Sequence, residues 1–232
     1  MVPIKELLNG AEIHCQKFGR PLVTLSYAQS LDGSLAIRRG QPLALSGGES
    51  LLLTHQLRAA HDAILIGVGT LLSDNPRLTV RLVDGKNPQP VILDSHLRTP
   101  LHANLLAEGR KPWLATGQHS DPQKKTQLMS AGARLLPFPL DDSGRVPLDA
   151  LLACLAELGI NTLMVEGGAR VITAFLESQL VDRLVLTLAP VIIGGLGAVE
   201  SNLAREAGLL RLHEPGYERL GDDLVVWGSL PH

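Results

Sequence analysis

A chain of 232 residues with 45% hydrophobic side chains is long enough to bury one large core, and its net charge of −2 gives none of the basic surplus that nucleic acid or an anionic bilayer selects. No apolar run reaches the length of a membrane-spanning helix, and Lys5 and Glu6 stand where a secretory signal needs an apolar core. Two cysteines, Cys15 and Cys154, form no motif and suit a reduced, cytoplasmic protein.

In chain order, residues 3–18 are expected to form a short amphipathic helix marked by Ile4, Leu7, Leu8 and Ile13 and interrupted near Gly10. Residues 22–28 read as the first strand, which leaves through Gln29-Ser-Leu-Asp-Gly33, where Asp-Gly is a turn signal. Ser46-Gly-Gly-Glu49 has the spacing of a capping box and precedes Leu51, Leu52, Leu53 and Leu57, which predicts a helix over about 48–60. His55, Arg58 and His61 fall along or near its polar side, where solvation is expected. A buried strand at 63–66 then runs into residues 67–81, read as a ligand loop after a strand end. Two glycines, Thr70, Asp74, Pro76, Arg77 and Arg81 occur there within fifteen positions, an assortment that packing alone does not need.

Residues 82–90 form a surface connection, and short apolar runs at 90–94, 113–116, 134–137, 162–165 and 183–188 read as further strands. Helices are expected at 122–131, at 148–158 before Gly159, and after Gly168, where Val171, Ile172, Phe175 and Leu176 share one face. Residues 217–226 have the look of a hairpin around Gly221-Asp222. Strands and helices alternate through the middle, which predicts one α/β domain: a mostly parallel central sheet flanked by helices, with an antiparallel edge.

Several catalytic machines are absent as patterns. No Gly-x-Gly-x-x-Gly opens a helix after a first strand, no Walker sequence occurs, and Ser46-Gly-Gly lacks the flanking glycine of a nucleophile elbow. No His-x-Glu with Pro-Cys-x-x-Cys is present, and the eight histidines lack zinc-ligand spacing, so no metal site is expected. Glycine corners at strand ends remain. Glu166-Gly-Gly168 lies between a buried strand and a helix, whose first amides and dipole favour a phosphate. Glu166, directly after a buried strand, needs a partner or a ligand. Arg58 and Arg81 are candidates to clamp a second phosphate.

Three segments, Ser-Leu-Asp-Gly (30–33), Leu-Arg-Ala-x-x-Asp-Ala-Ile-Leu (57–65) and Gly-x-Gly-Thr-x-x-x-Asp-x-Pro-x-Leu-Thr-x-Arg (67–81), resemble those of the riboflavin-biosynthesis pyrimidine reductases. Asp-Ser-x-Leu-Arg (94–98), Val-Glu-Gly-Gly (165–168) and Leu-Ala-Pro-x-Ile-x-Gly-Gly (188–195) continue the likeness in the same order, over roughly residues 20–228. The resemblance implies a dihydrofolate reductase-like fold, with a helical extension over 1–19 before a reductase domain over 20–230. It also implies NADPH as cofactor, a homodimer, and reduction of a ribosylamino-pyrimidine 5′-phosphate to the ribitylamino compound. By the same likeness Gly67, Thr70, Asp74, Ser95, Gly167, Gly168, Ala169, Gly194 and Gly195 approach the cofactor. Asp32, Arg58, Leu78, Arg81 and Glu166 stand on the substrate side, and Asp74 or Glu166 relays a proton. Two departures are visible: Ser26 stands where many members carry lysine, and Ala44 where some carry tryptophan. They keep open another pterin-like substrate or a non-catalytic NADPH-binding protein, and the choice between aminouracil and diaminopyrimidine substrates stays open as well.

Overall fold

The computed structural model describes residues 2–41, 43–200 and 203–230, Glu206 by its backbone alone, and builds them around one nine-stranded sheet. The chain begins with α1 (Ile4–Leu7), α2 (Ala11–Phe18), β1 (Leu22–Ser30) and β2 (Ser34–Ala36). It continues through α3 (Gly48–Ala60), β3 (Ala63–Gly67), α4 (Val68–Asp74), β4 (Gln89–Leu93), α5 (Asn104–Ala107) and β5 (Trp113–Gly117). Next come α6 (Pro122–Ser130), β6 (Arg134–Phe138), α7 (Leu148–Glu157), β7 (Thr162–Gly167), α8 (Ala169–Glu177) and β8 (Arg183–Ala189). The last elements are β9 (Leu196–Gly197), α9 (Leu203–Glu206), β10 (His213–Leu220) and β11 (Asp223–Ser229).

The strand order is β10-β11-β8-β1-β7-β3-β4-β5-β6. The run from β8 to β6 is parallel, and β11 lies antiparallel on β8. Strands β10 and β11 form the expected hairpin, with Leu220 opposite Asp223 and Gly221 at φ +62° in the turn. A separate ribbon pairs β2 with β9.

Alternation along the strands divides the core between the two faces. Leu65, Leu163 and Val165 pack with Leu151, Leu155, Ile172 and Phe175 of α7 and α8. On the opposite face Ile64, Ile66 and Ile92 meet Leu71, Leu105 and Leu128 of α4, α5 and α6. Beside them Met164, Val185 and Val225 meet Leu53 and Leu57 of α3, together with Val2 and Leu7. By the same alternation Glu166 follows Met164 onto the α3 face, beyond which the parallel strands end.

Four expectations need correction. The Ser46–Glu49 capping box does not form: Gly47 is the N-cap, its amide and the Ser50 hydroxyl donate to the Asp223 carboxylate, and Glu49 accepts the Gly221 amide instead. An acceptor from the C-terminal hairpin replaces the local one. His55 and His61 are buried rather than solvated, because β1 and the 79–81 segment cover the flanks of α3. Residues 68–74 are helical rather than loop, closed by Asn75 in the left-handed conformation. Ile13 is exposed, since α2 buries only Ala11.

Candidate active site

Strands β1, β3, β4 and β7 open at their carboxyl ends into one cleft of about 1050 Å³, the position where open α/β sheets bind ligands. Its wall brings together Arg58, Gly67, Thr70, Asp74, Ser95, Glu166, Gly168 and Ala169. Asp32, Leu78, Arg81, Gly167, Gly194 and Gly195 are not part of that wall.

On the α3 face, Arg58 and Glu166 meet in a bidentate pair, Nε to Oε1 at 2.6 Å and Nη2 to Oε2 at 2.7 Å. Both side chains are mostly buried, so the pair rests on charge-assisted, fork-shaped geometry rather than on solvated attraction. Burial works against the Arg58 charge, but the Glu166 bond and charge outweigh it and raise the pKa. Nη1 of Arg58 also donates to the Thr79 carbonyl at 3.2 Å. The guanidinium that was expected to clamp a phosphate is therefore already held on two sides, with one edge toward the cleft.

Arg81 lies one step outside. Its side chain is exposed and donates to Thr79 Oγ1 at 2.6 Å, while its backbone N–H donates to Nδ1 of His55 at 3.0 Å. Leu78 is buried with φ +51° and packs against Ile64, Ile66 and Leu97. It anchors the segment from below rather than lining the cleft.

At the carboxyl ends of β3 and β7, α4 and α8 start close together and then run along the two faces of the sheet. Gly167 and Gly168 have φ values of +78° and +97°, which favour glycine. A Cβ on Gly168 would stand 2.6 Å from Thr70 Oγ1, and one on Gly67 would stand 2.8 Å from Val171. Thr70 Oγ1 donates to the Gly167 carbonyl at 3.0 Å, tying the two helix starts together. Asp74 sits on the exposed rim and accepts from the Ser73 hydroxyl.

Asp32 gathers four donors: Ser30 Oγ at 2.6 Å, Ser34 Oγ at 2.8 Å, and the amides of Ile193 at 2.9 Å and Gly194 at 2.8 Å. The Ser30 hydroxyl first, then the Ile193 amide, the Ser34 hydroxyl and the Gly194 amide, hold its carboxyl well below the usual range. The carboxylate is a knot that ties the 190–195 segment to the turn after β1. Gly195 lacks a side chain because the Ala36 and Ile37 carbonyls occupy that space.

Ser95 Oγ accepts the Val146 amide at 3.2 Å, which draws the 141–146 loop with Arg145 onto the cleft, and Arg98, whose amide donates to Asp94 Oδ1 at 2.9 Å, is also in its wall. Arg145, Arg170, Leu35, Ala36 and residues 38–41 and 43–46 also line the cleft, and of these sequence reasoning had marked Ala44 alone. Arg98 belongs to the Asp-Ser-x-Leu-Arg segment, so its signal was present; the others reach the site only through tertiary folding. Among the described residues no cluster of His, Cys, Asp or Glu is arranged to hold a metal ion, and no helix is long and apolar enough to cross a membrane.

A family profile described as the RibD C-terminal domain matches residues 21–226. The chain is 40% identical over 192 residues to the riboflavin biosynthesis protein RibD of Bacillus amyloliquefaciens, covering 82% of this chain and 51% of that protein. It thus spans about half the length of that relative. It is 36% identical over 220 residues to the 2,5-diamino-6-ribosylamino-4(3H)-pyrimidinone 5′-phosphate reductase of Methanothermobacter thermautotrophicus, covering 89% of this chain and 97% of that one. Among solved structures, the Saccharomyces cerevisiae riboflavin biosynthesis reductase Rib7 superposes with a TM-score of 0.75 at 27% identity, over 98% of this chain and 99% of that one. Enterococcus faecalis dihydrofolate reductase shares the fold at a TM-score of 0.52 and 10% identity, over 91% of this chain and 97% of that one.

Proposed function

The chain belongs to the RibD C-terminal domain family, and on that premise we propose that it reduces a ribosylamino-pyrimidine 5′-phosphate to the ribitylamino compound with NADPH. The observation that carries the reading is the Arg58–Glu166 pair, set in the same cleft as the paired starts of α4 and α8. The residues fit a dinucleotide. The Ala169 and Arg170 amides precede the first hydrogen bond of α8, from Val171 to the Gly168 carbonyl, and glycine at 67 and 168 lets the starts of α4 and α8 come together, since a Cβ there would stand 2.8 Å from Val171 or 2.6 Å from Thr70 Oγ1. Arg98 and Arg145 beside Ser95 suit an extra phosphate, which supports NADPH over NADH.

Bound reduced nicotinamide supplies the hydride. The open-chain sugar imine accepts it at C1, and its nitrogen takes a proton. In this reading Gly67, Thr70, Gly167, Gly168 and Ala169 shape the cofactor bed, and Ser95 holds the neighbouring loop. Glu166 fixes Arg58 against the substrate, so that the accepting carbon is aligned rather than activated. Asp74, on the rim, is the proposed holder of the proton. Arg81 faces the substrate phosphate; Asp32, through Gly194 and Gly195, shapes the mouth. A homodimer belongs to the same proposal, supported by exposed Leu31, Ile37, Val191 and Ile192 on adjoining segments. So does a cytoplasmic location, with which the free thiols of Cys15 and Cys154 agree. The match beginning at residue 21 supports a short helical extension before a reductase domain.

The test is NADPH oxidation followed at the nicotinamide band, with the aminouracil and diaminopyrimidinone substrates compared. Turnover of either is expected, together with a weaker response to NADH and a roughly 100-fold loss of kcat/KM in Glu166→Gln with the fold retained. Tight NADPH binding without turnover of either substrate would overturn the reading.

A further inference from the structure

His55 lies in the middle of α3 and is 1% exposed. Its Nδ1 accepts the Arg81 amide at 3.0 Å, so the ring is neutral and its proton sits on Nε2. Nε2 is buried and has no hydrogen-bond partner among the described residues. An unmet buried donor costs about 1–3 kcal/mol, and an apolar side chain of similar size would avoid that cost. Packing therefore does not explain a histidine here; the acceptor at Nδ1 does.

One turn on, Arg58 donates to the Thr79 carbonyl at 3.2 Å. Helix α3 thus grips residues 79–81 twice, once as donor and once as acceptor. Asn87 Oδ1 takes the Val80 amide at 2.7 Å, and Leu78 anchors the segment in the core. The charged groups facing the ring are Arg58 from α3, Arg81 from the segment and Glu166 from β7. Burial first, then the two arginines, pushes the ring's pKa down against the opposing effect of Glu166. The ring accordingly stays an acceptor near neutral pH.

We propose that His55 is a positioning residue: its neutral ring holds the Arg81 backbone, and so sets where the Arg81 guanidinium stands relative to the Arg58–Glu166 pair. The kinetic consequence rests on the reductase reading above; the structural one does not.

Three variants test it. His55→Asn puts a carbonyl oxygen within reach of the Nδ1 position, His55→Gln reaches toward Nε2, and His55→Leu has no acceptor. For Leu and Gln, KM for the phosphorylated pyrimidine should rise roughly three- to tenfold, with kcat within about twofold of wild type and NADPH affinity unchanged. Asn should restore KM. Hydrogen exchange at the Arg81 amide, read by NMR without substrate, should quicken in Leu and Gln and not in Asn. Equal Arg81 protection in wild type and Leu, or an Asn variant as impaired as Leu, would overturn the proposal. If wild type turns over neither pyrimidine while Arg81 exchange still depends on the ring, the reductase reading fails and the His55 clip stands.

Discussion

At the scale of single residues, the second histidine of α3 carries a different consequence. His61 Nδ1 donates to the Leu57 carbonyl at 2.7 Å and Nε2 accepts from Thr24 Oγ1 at 2.8 Å, joining the end of α3 to β1. Burial outweighs the Leu57 bond and the Asp62 charge and lowers its pKa to about 4. The unfolded chain takes up this proton near pH 6.5, and the folded chain resists it until about 4. Stability is therefore full above pH 6.5 and falls as pH drops toward 4, by on the order of 3 kcal/mol from this ring. Urea unfolding across that range should show the slope in wild type and a flatter profile in His61→Gln; matching slopes would remove His61 as the source. Neither histidine showed its burial in the sequence, because the residues covering them, Thr24 and Arg81, come from other segments. Arg58 and Glu166 were each recognisable as candidates, but their pairing joins positions 108 apart. Thr70, Asp74 and Arg81 stood out by composition. That Thr70 and Asp74 both face the cleft depends on the helical turn of α4, which the glycine-rich sequence concealed, while Arg81 lies beyond that helix.

At the scale of elements, the contact between the starts of α4 and α8 is the most demanding junction. Gly168→Ala would impose a Cβ at φ +97° and press on Thr70 Oγ1. A loss of about 1–3 kcal/mol is expected, read from the urea midpoint, with weaker NADPH binding by nicotinamide fluorescence. Gly69→Ala is the control, since a Cβ there meets nothing within 4 Å; its stability should hold or rise slightly. Equal losses in the two would argue that the junction has room to spare. Elements with a clear period or apolar run were legible: α3, α7, α8 and the strands of the parallel sheet fall where hydrophobic spacing put them. The ribbon β2–β9 and helices α5 and α9 escaped because two to four residues carry no period. The start of α3 falls where it was expected, but its capping partner was misread, because the acceptor is Asp223, brought in by the hairpin.

Across the whole molecule, a few of the exposed apolar side chains adjoin one another. Leu31 donates its amide to the Val191 carbonyl, and beside them Ile192 is 78% exposed. If these side chains form the proposed dimer contact, Ile192→Asp should shift light-scattering mass from dimer to monomer while unfolding stays cooperative. An unchanged mass would move the contact elsewhere. The sheet has a further consequence. β1 lies between β7 and β8, with Leu22 opposite Thr162 and Thr24 opposite Arg183. Pairings so distant along the chain close slowly, because loop entropy is lost before contacts return it. A chain emerging from the ribosome holds the nine residues of β1 with neither neighbour yet made. During synthesis, the earliest strand waits longest for its place.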